Sequence, residues 1–110
     1  MKEERLYLEH MRESCERILD FTRSGKAEFL SNRQIQDAVI RNFEILDEAA
    51  KHVSEITRSQ ASEIPWRLLS GFRDVLIHQY ASVDLQEVWK RVEFDLPPVH
   101  KALGVLLNRE

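Results

Sequence analysis

The stretch RQIQDAVIRNFEILDEAAKHVSEIT, residues 33–57, returns an apolar residue every three or four positions. Ile35, Ala38 and Val39, Asn42, Ile45 and Leu46, Ala49, His52 and Val53, and Ile56 share one stripe. That period is helical and approximates a heptad seam, and it predicts one helix from about Arg33 to Thr57. Ser31 or Asn32 can cap its start. Ala49 and Ala50 would let a neighbouring helix approach closely. Asn42 places an amide inside the stripe. Its plain reading is a hydrogen-bonded core or interface group that fixes register. Its sharper reading is a contact to a ligand or phosphate.

The same period extends outward on both sides. Upstream, Leu8, Met11, Cys15, Ile18 and Thr22 line one face of a helix from about Glu3 to Ser24, with Leu19 beside them. Gly25 offers a left-handed stop. Lys26 to Ser31 reads as a short connection that tucks Phe29 and Leu30 into the core. His10 falls off the stripe and reads as a surface residue. His52 reads as structural. Downstream, Ser59 to Ile64 is a polar turn, and Pro65 pre-sets the first turn of a third helix. Trp66 anchors that helix, and Leu69, Phe72, Leu76 and Tyr80 line it. Gly71 costs stability inside a helix, so it marks a close crossing. Asp84 can cap a last helix striped by Leu85, Val88, Trp89, Val92, Leu96, Val99, Leu103 and Leu106. Pro97-Pro98 removes two backbone donors, which predicts a kink or break near Asp95–Pro97 and then a short terminal helix. The expected fold is all-α, an antiparallel four-helix bundle, as one domain over residues 1–110.

Composition narrows the function. With 110 residues the chain can bury one core. Only 3 Gly and 3 Pro occur, too little turn punctuation for a many-stranded β fold. The single Cys15 excludes an internal disulfide and a multi-cysteine zinc site. No Glu-x-x-His or His-Glu-x-x-His motif is present, so no metal site is expected. Glu48 and His52, one turn apart, are too few for a metal and read as a surface pair. Phosphate-cradling glycine loops are absent, and no cofactor is expected. No apolar run is long enough to cross a bilayer. Met1-Lys2-Glu3-Glu4-Arg5 leads into an amphipathic stretch, not the apolar core of a signal peptide, so a cytoplasmic location is expected. The net charge of −3 argues against holding nucleic acid by bulk electrostatics, although 11 of the 16 basic residues are arginines.

One constellation stands out, in Gly71-Phe72-Arg73-Asp74-Val75-Leu76-Ile77-His78-Gln79-Tyr80. Histidine can give or take a proton at neutral pH, and arginine offers a permanent charge with five donors. Together they meet the needs of metal-free RNA cleavage: a base for the 2′-hydroxyl, an acid for the leaving oxygen, and a cation for charge at phosphorus. On an ideal helix Arg73 and Tyr80 lie within about 20° of each other, whereas His78 lies about 140° from Arg73. Either the helix loosens before His78, or two chains assemble the site, as in a symmetric dimer. A structural alternative stays open on residue types alone. Arg73 could pair with Asp74 or another carboxylate, His78 could favour a helix C-terminus, and Tyr80 could simply pack.

The chain resembles the HEPN superfamily, specifically the HepT-like toxins of toxin–antitoxin pairs. The resemblance rests on Arg73-x4-His78-x-Tyr80, on Ile64-Pro65-Trp66 before it, and on Asp37-Ala38-Val39-Ile40-Arg41-Asn42 and Ile45-Leu46-Asp47-Glu48-Ala49. It covers essentially the whole chain. It implies a homodimeric, metal-independent endoribonuclease acting on tRNA or mRNA, with Arg73 and His78 as the catalytic pair in a cleft between subunits. It also implies a minimal nucleotidyltransferase antitoxin (MntA-like) that silences the toxin by attaching AMP to Tyr80. Two positions depart from the family pattern: Asp74 stands where related motifs often carry Asn, and Asp47 where they often carry Gly. Asp74 and Asn42 are expected to support the site. Two other readings compete with this one. In the first, the chain is a non-catalytic module that binds a nucleotidyltransferase or nucleotide. In the second, it is a dimeric scaffold whose motif is structural.

Overall fold

The computed structural model describes residues 2–67, 69 and 84–108. Among these residues the chain is helices and turns, with no strand. Helix α1 spans Lys2–Phe21, α2 Lys26–Ser31, α3 Arg33–Ala50, α4 Glu55–Ser59, and α5 Leu85–Lys90. A π-helical turn, Arg91–Asp95, joins α5 to α6, Leu96–Asn108. Two cross-contacts set α1 antiparallel to α6: Arg5 donates to the Leu107 carbonyl at 3.1 Å, and His100 meets Glu16 at 3.0 Å. Two more set α1 antiparallel to α3. The Glu4 carboxylate accepts from the Ser54 backbone N–H, and Tyr7 stacks on His52. The expected all-α antiparallel fold is therefore present among the described residues, and the third helix expected from Pro65 onward falls mostly outside them.

The α1 stripe enters the core as its spacing predicts. Leu8, Met11, Cys15 and Ile18 have no exposed surface, and Thr22 is buried with its hydroxyl donating to the Ile18 carbonyl at 2.7 Å. They meet Val39, Phe43 and Leu46 of α3 and Val99, Leu103 and Leu106 of α6, all buried in one cluster. Each such side chain contributes about 1.5–3 kcal/mol by leaving water. Phe29 packs its ring 5.6 Å from Trp89, tying α2 to α5.

Two features differ from the sequence expectation, and a third takes a form that the expectation left open. The connection at 26–31 is itself a helix, and Gly25, at φ +95°, stands at its start, after the turn that follows α1. Residues 33–57 do not form one helix. The chain turns after Ala50, and Ser54 caps a new helix by accepting from the Thr57 N–H at 3.2 Å. The stripe runs on through the turn because Val53 is buried there too, so periodicity alone could not reveal the break. The disturbance expected before Pro97-Pro98 is present, but not as a break. The chain stays helical from Leu85 to Asn108, and the disturbance takes the form of the π-helical turn, with the Leu96 N–H reaching back to the Arg91 carbonyl. The prolines then sit in the first turn of α6. Asn32 and Asp84 cap α3 and α5 as expected, Asn32 accepting from the Ile35 N–H at 3.2 Å and Asp84 from the Gln86 N–H at 2.9 Å.

Candidate functional site

Arg73, Asp74, His78 and Tyr80 lie outside the described residues, so the structure gives the frame around them. The approach to the motif is anchored firmly. Ile64, Trp66 and Leu69 are each buried, at 2%, 8% and 4% exposure. The Trp66 indole N–H donates to the Ala61 carbonyl at 3.1 Å, which satisfies the one polar atom of a large apolar ring. Arg58 covers that ring, with its guanidinium carbon 5.4 Å from the centroid. It also donates to the Val53 carbonyl at 3.1 Å and the Ala50 carbonyl at 2.8 Å. One arginine thus closes the turn after α3 and clamps the tryptophan that opens the motif segment. On the far side of the motif, Asp84 caps α5.

Asn42 is buried on α3. Its amide nitrogen donates to the Ala38 carbonyl at 2.8 Å, and its Oδ1 has no hydrogen-bond partner among the described residues. One half of the amide is therefore explained by its own helix and the other half is not, and both readings made from the sequence remain compatible with it. Asp47 was not singled out as a site residue. It has no exposed surface and is engaged in a polar or electrostatic contact. A carboxylate so placed is held by compensating charge or donors. Only its departure from the family pattern pointed to it. Cys15 is buried, and burial pushes its thiol pKa up to about 12, aided by the nearby Glu16 charge. It is a core residue and not a nucleophile.

A cleft of about 260 Å³ opens between α1 and α3, lined in part by Tyr7, His10, Arg41, Glu44, Glu48 and His52. The Tyr7 and His52 rings stack with centroids 4.3 Å apart and planes 10° apart, and His10 meets Tyr7 edge-on at 6.4 Å. His52 stands 3.9 Å from Glu48, at the long limit of an ion pair. The sequence paired Glu48 with His52 but gave no sign that Tyr7 would join them, because that meeting depends on how α1 crosses α3. Among the described residues no three His, Cys, Asp or Glu side chains converge as a metal-binding group, and no helix is long and apolar enough to cross a membrane.

Comparison with known proteins places the chain. A family model described as "Ribonuclease HepT-like" matches residues 11–106. A protein of Caldanaerobacter subterraneus named "Putative RNase TTE0752" is 32% identical over 111 aligned positions, covering 100% of this chain and 99% of that protein. The "Probable ribonuclease HepT" of Thermococcus cleftensis is 44% identical over 92 residues, covering 83% of this chain and 84% of its relative. A third relative, "Gamma-glutamylcyclotransferase and putative RNase MJ0434" of Methanocaldococcus jannaschii, is 36% identical over 103 residues, and the alignment takes up 46% of its length. No solved structure gives a significant match. The family model spans nearly the whole chain, including every residue of the Arg73–Tyr80 segment, and the chain belongs to the HepT-like ribonuclease family.

Proposed function

We propose that this protein is a metal-independent endoribonuclease, the toxin of a toxin–antitoxin pair. Arg73 and His78 carry the chemistry, and Tyr80 is the site of silencing by AMP attachment. The observation that carries the reading is the match to the HepT-like ribonuclease family over residues 11–106, a span that holds Arg73-x4-His78-x-Tyr80. The substrate is RNA, tRNA or mRNA. The partner is a minimal nucleotidyltransferase. The working form is a homodimer in which two motif segments face each other.

The chemistry follows from the residue types. His78 moves the proton, and Arg73 holds the phosphate and the charge that builds on it. The 2′-oxygen attacks the adjacent phosphorus and the P–O5′ bond breaks. The proton lost from the 2′-hydroxyl side is balanced by one gained at the 5′-oxygen. The fragments therefore end in a 2′,3′-cyclic phosphate and a 5′-hydroxyl. AMP on Tyr80 would set a phosphate beside Arg73 and occupy the anion site that the substrate needs.

The test is purified protein against total RNA and tRNA in EDTA, with His78→Ala alongside. Cleavage by the wild type alone, leaving 5′-hydroxyl ends, is the expected result. Intact RNA with both proteins, at an intact mass that shows Tyr80 unmodified, would favour a non-catalytic module that binds the nucleotidyltransferase or a nucleotide.

A further inference from the structure

We propose that the cleft between α1 and α3 is a guanine-binding subsite for single-stranded RNA, an inference that rests on the ribonuclease reading for its ligand. The cleft lies on residues that no catalytic role has claimed. Arg41, Glu44, Glu48 and His52 follow one another at three- and four-residue steps, so the end of α3 and the turn after it present them along one line. Tyr7 from α1 completes the wall.

Three features select the ligand. The first is the stack. Tyr7 and His52 are already parallel at 4.3 Å, and the His52 side chain keeps 47% of its surface exposed. A third flat ring can continue the stack on that open side, as unstacked RNA bases do on aromatic and histidine side chains. The second is the acceptor. The Glu44 side chain is 27% exposed and takes one contact from Arg41 at 3.3 Å. An ionised carboxylate has acceptor sites for several donors, so it retains capacity for more. Guanine is the standard base whose pairing edge offers two adjacent N–H donors, N1–H and N2–H, to one carboxylate. The third is the charge pattern. The Glu44 carboxylate disfavours a phosphate in the interior, while the Arg41 side chain, 70% exposed, can meet one outside. The base enters and the backbone stays at the mouth. A volume of about 260 Å³ is below the ~300–1,000 Å³ of drug-sized pockets, which suits a single base.

The test is fluorescence anisotropy with the full chain and short labelled 2′-O-methyl RNAs. These lack the attacking hydroxyl and stay intact. One carries a single guanine in an adenine run, and the other has adenine in its place. The wild type is expected to bind the guanine oligonucleotide about tenfold more tightly, within the range one stacked, recognised base supplies. His52→Ala should weaken binding of the guanine oligonucleotide by a similar factor. Glu44→Gln should erase the preference for guanine over adenine. His52 is exposed and Glu44 half-buried, and circular dichroism of each variant verifies the fold. Equal binding of the two oligonucleotides by the wild type, no binding of either, or variants that bind as the wild type does, would overturn the proposal. Binding is read without cleavage. Failure of the ribonuclease reading shows separately, as unmodified RNA left intact by the wild type.

Discussion

Trp66 is the side chain that most directly ties the described core to the motif segment. Its ring is nearly buried, its one polar atom is satisfied, and Arg58 lies over its face. Trp66→Ala should cost about 3–5 kcal/mol in urea unfolding, the usual range for emptying a buried aromatic site. Trp66→Phe should cost about 1 kcal/mol, because most packing stays and one hydrogen bond is lost. Asp47 makes the complementary case. Its carboxylate is fully enclosed and engaged, so Asp47→Asn, which keeps the shape and removes the charge, should lower the unfolding free energy by about 1–3 kcal/mol. An unchanged urea midpoint would show that its charge does not matter to the fold. These two residues differ in legibility. Trp66 was readable as an anchor because a large ring beside Pro65 at a helix start has few other roles. Asp47 was not, because it sits next to Glu48 in a charged pair, and only three-dimensional packing distinguishes the enclosed acid from the exposed one.

Caps and staples set where the helices begin and end. Asp84 opens α5, and Asp84→Ala should cost about 1 kcal/mol, seen as a fall in Tm of roughly 4–8 °C for a domain of this size. The turn between α3 and α4 is held from across the bundle by Glu4. Burial raises the pKa of this carboxyl, but the Ser54 backbone N–H, with the Ser54 and Thr57 hydroxyls, outweighs burial and lowers it overall. The sign follows directly. A lowered folded-state pKa means that the contribution is present above the carboxyl's ordinary value of 4.5 and is lost as pH falls through the folded value. Glu4→Gln should therefore melt below the wild type at neutral pH, and the gap should close as the pH falls below the ordinary value of 4.5 and through the lower folded-state value. A gap that persists in acid would assign the effect to shape and not to charge. The same turn explains why one long helix was expected where two are found. Val53 keeps the apolar rhythm after α3 has ended, and Ser54, an ordinary polar residue by sequence, becomes a cap only because Glu4 and Arg58 hold the turn around it.

At the scale of the whole molecule, the proposed function has Arg73 and His78 act together, from one chain or from two. The ideal-helix angle of about 140° between Arg73 and His78 favours a composite site. Subunit mixing tests this. Arg73→Ala and His78→Ala proteins, each inactive alone, should regain RNA cleavage after exchange, because one of the two sites in a mixed dimer then holds an intact arginine and an intact histidine. No recovery, with exchange verified by mass, would place both groups of each site on one chain. The helical class, the α1 stripe of Leu8, Met11, Cys15 and Ile18, the two caps and the family-bearing Arg73-x4-His78-x-Tyr80 motif were all determined by the sequence itself. Each depends on residue type and short-range spacing, which a linear chain records in full. The break after Ala50, the helical state of residues 26–31, the survival of the helix through Pro97-Pro98, the enclosure of Asp47 and the meeting of Tyr7 with His52 were decided only by the tertiary structure. Each depends on which surface covers which, and that is set by the packing of residues tens of positions apart.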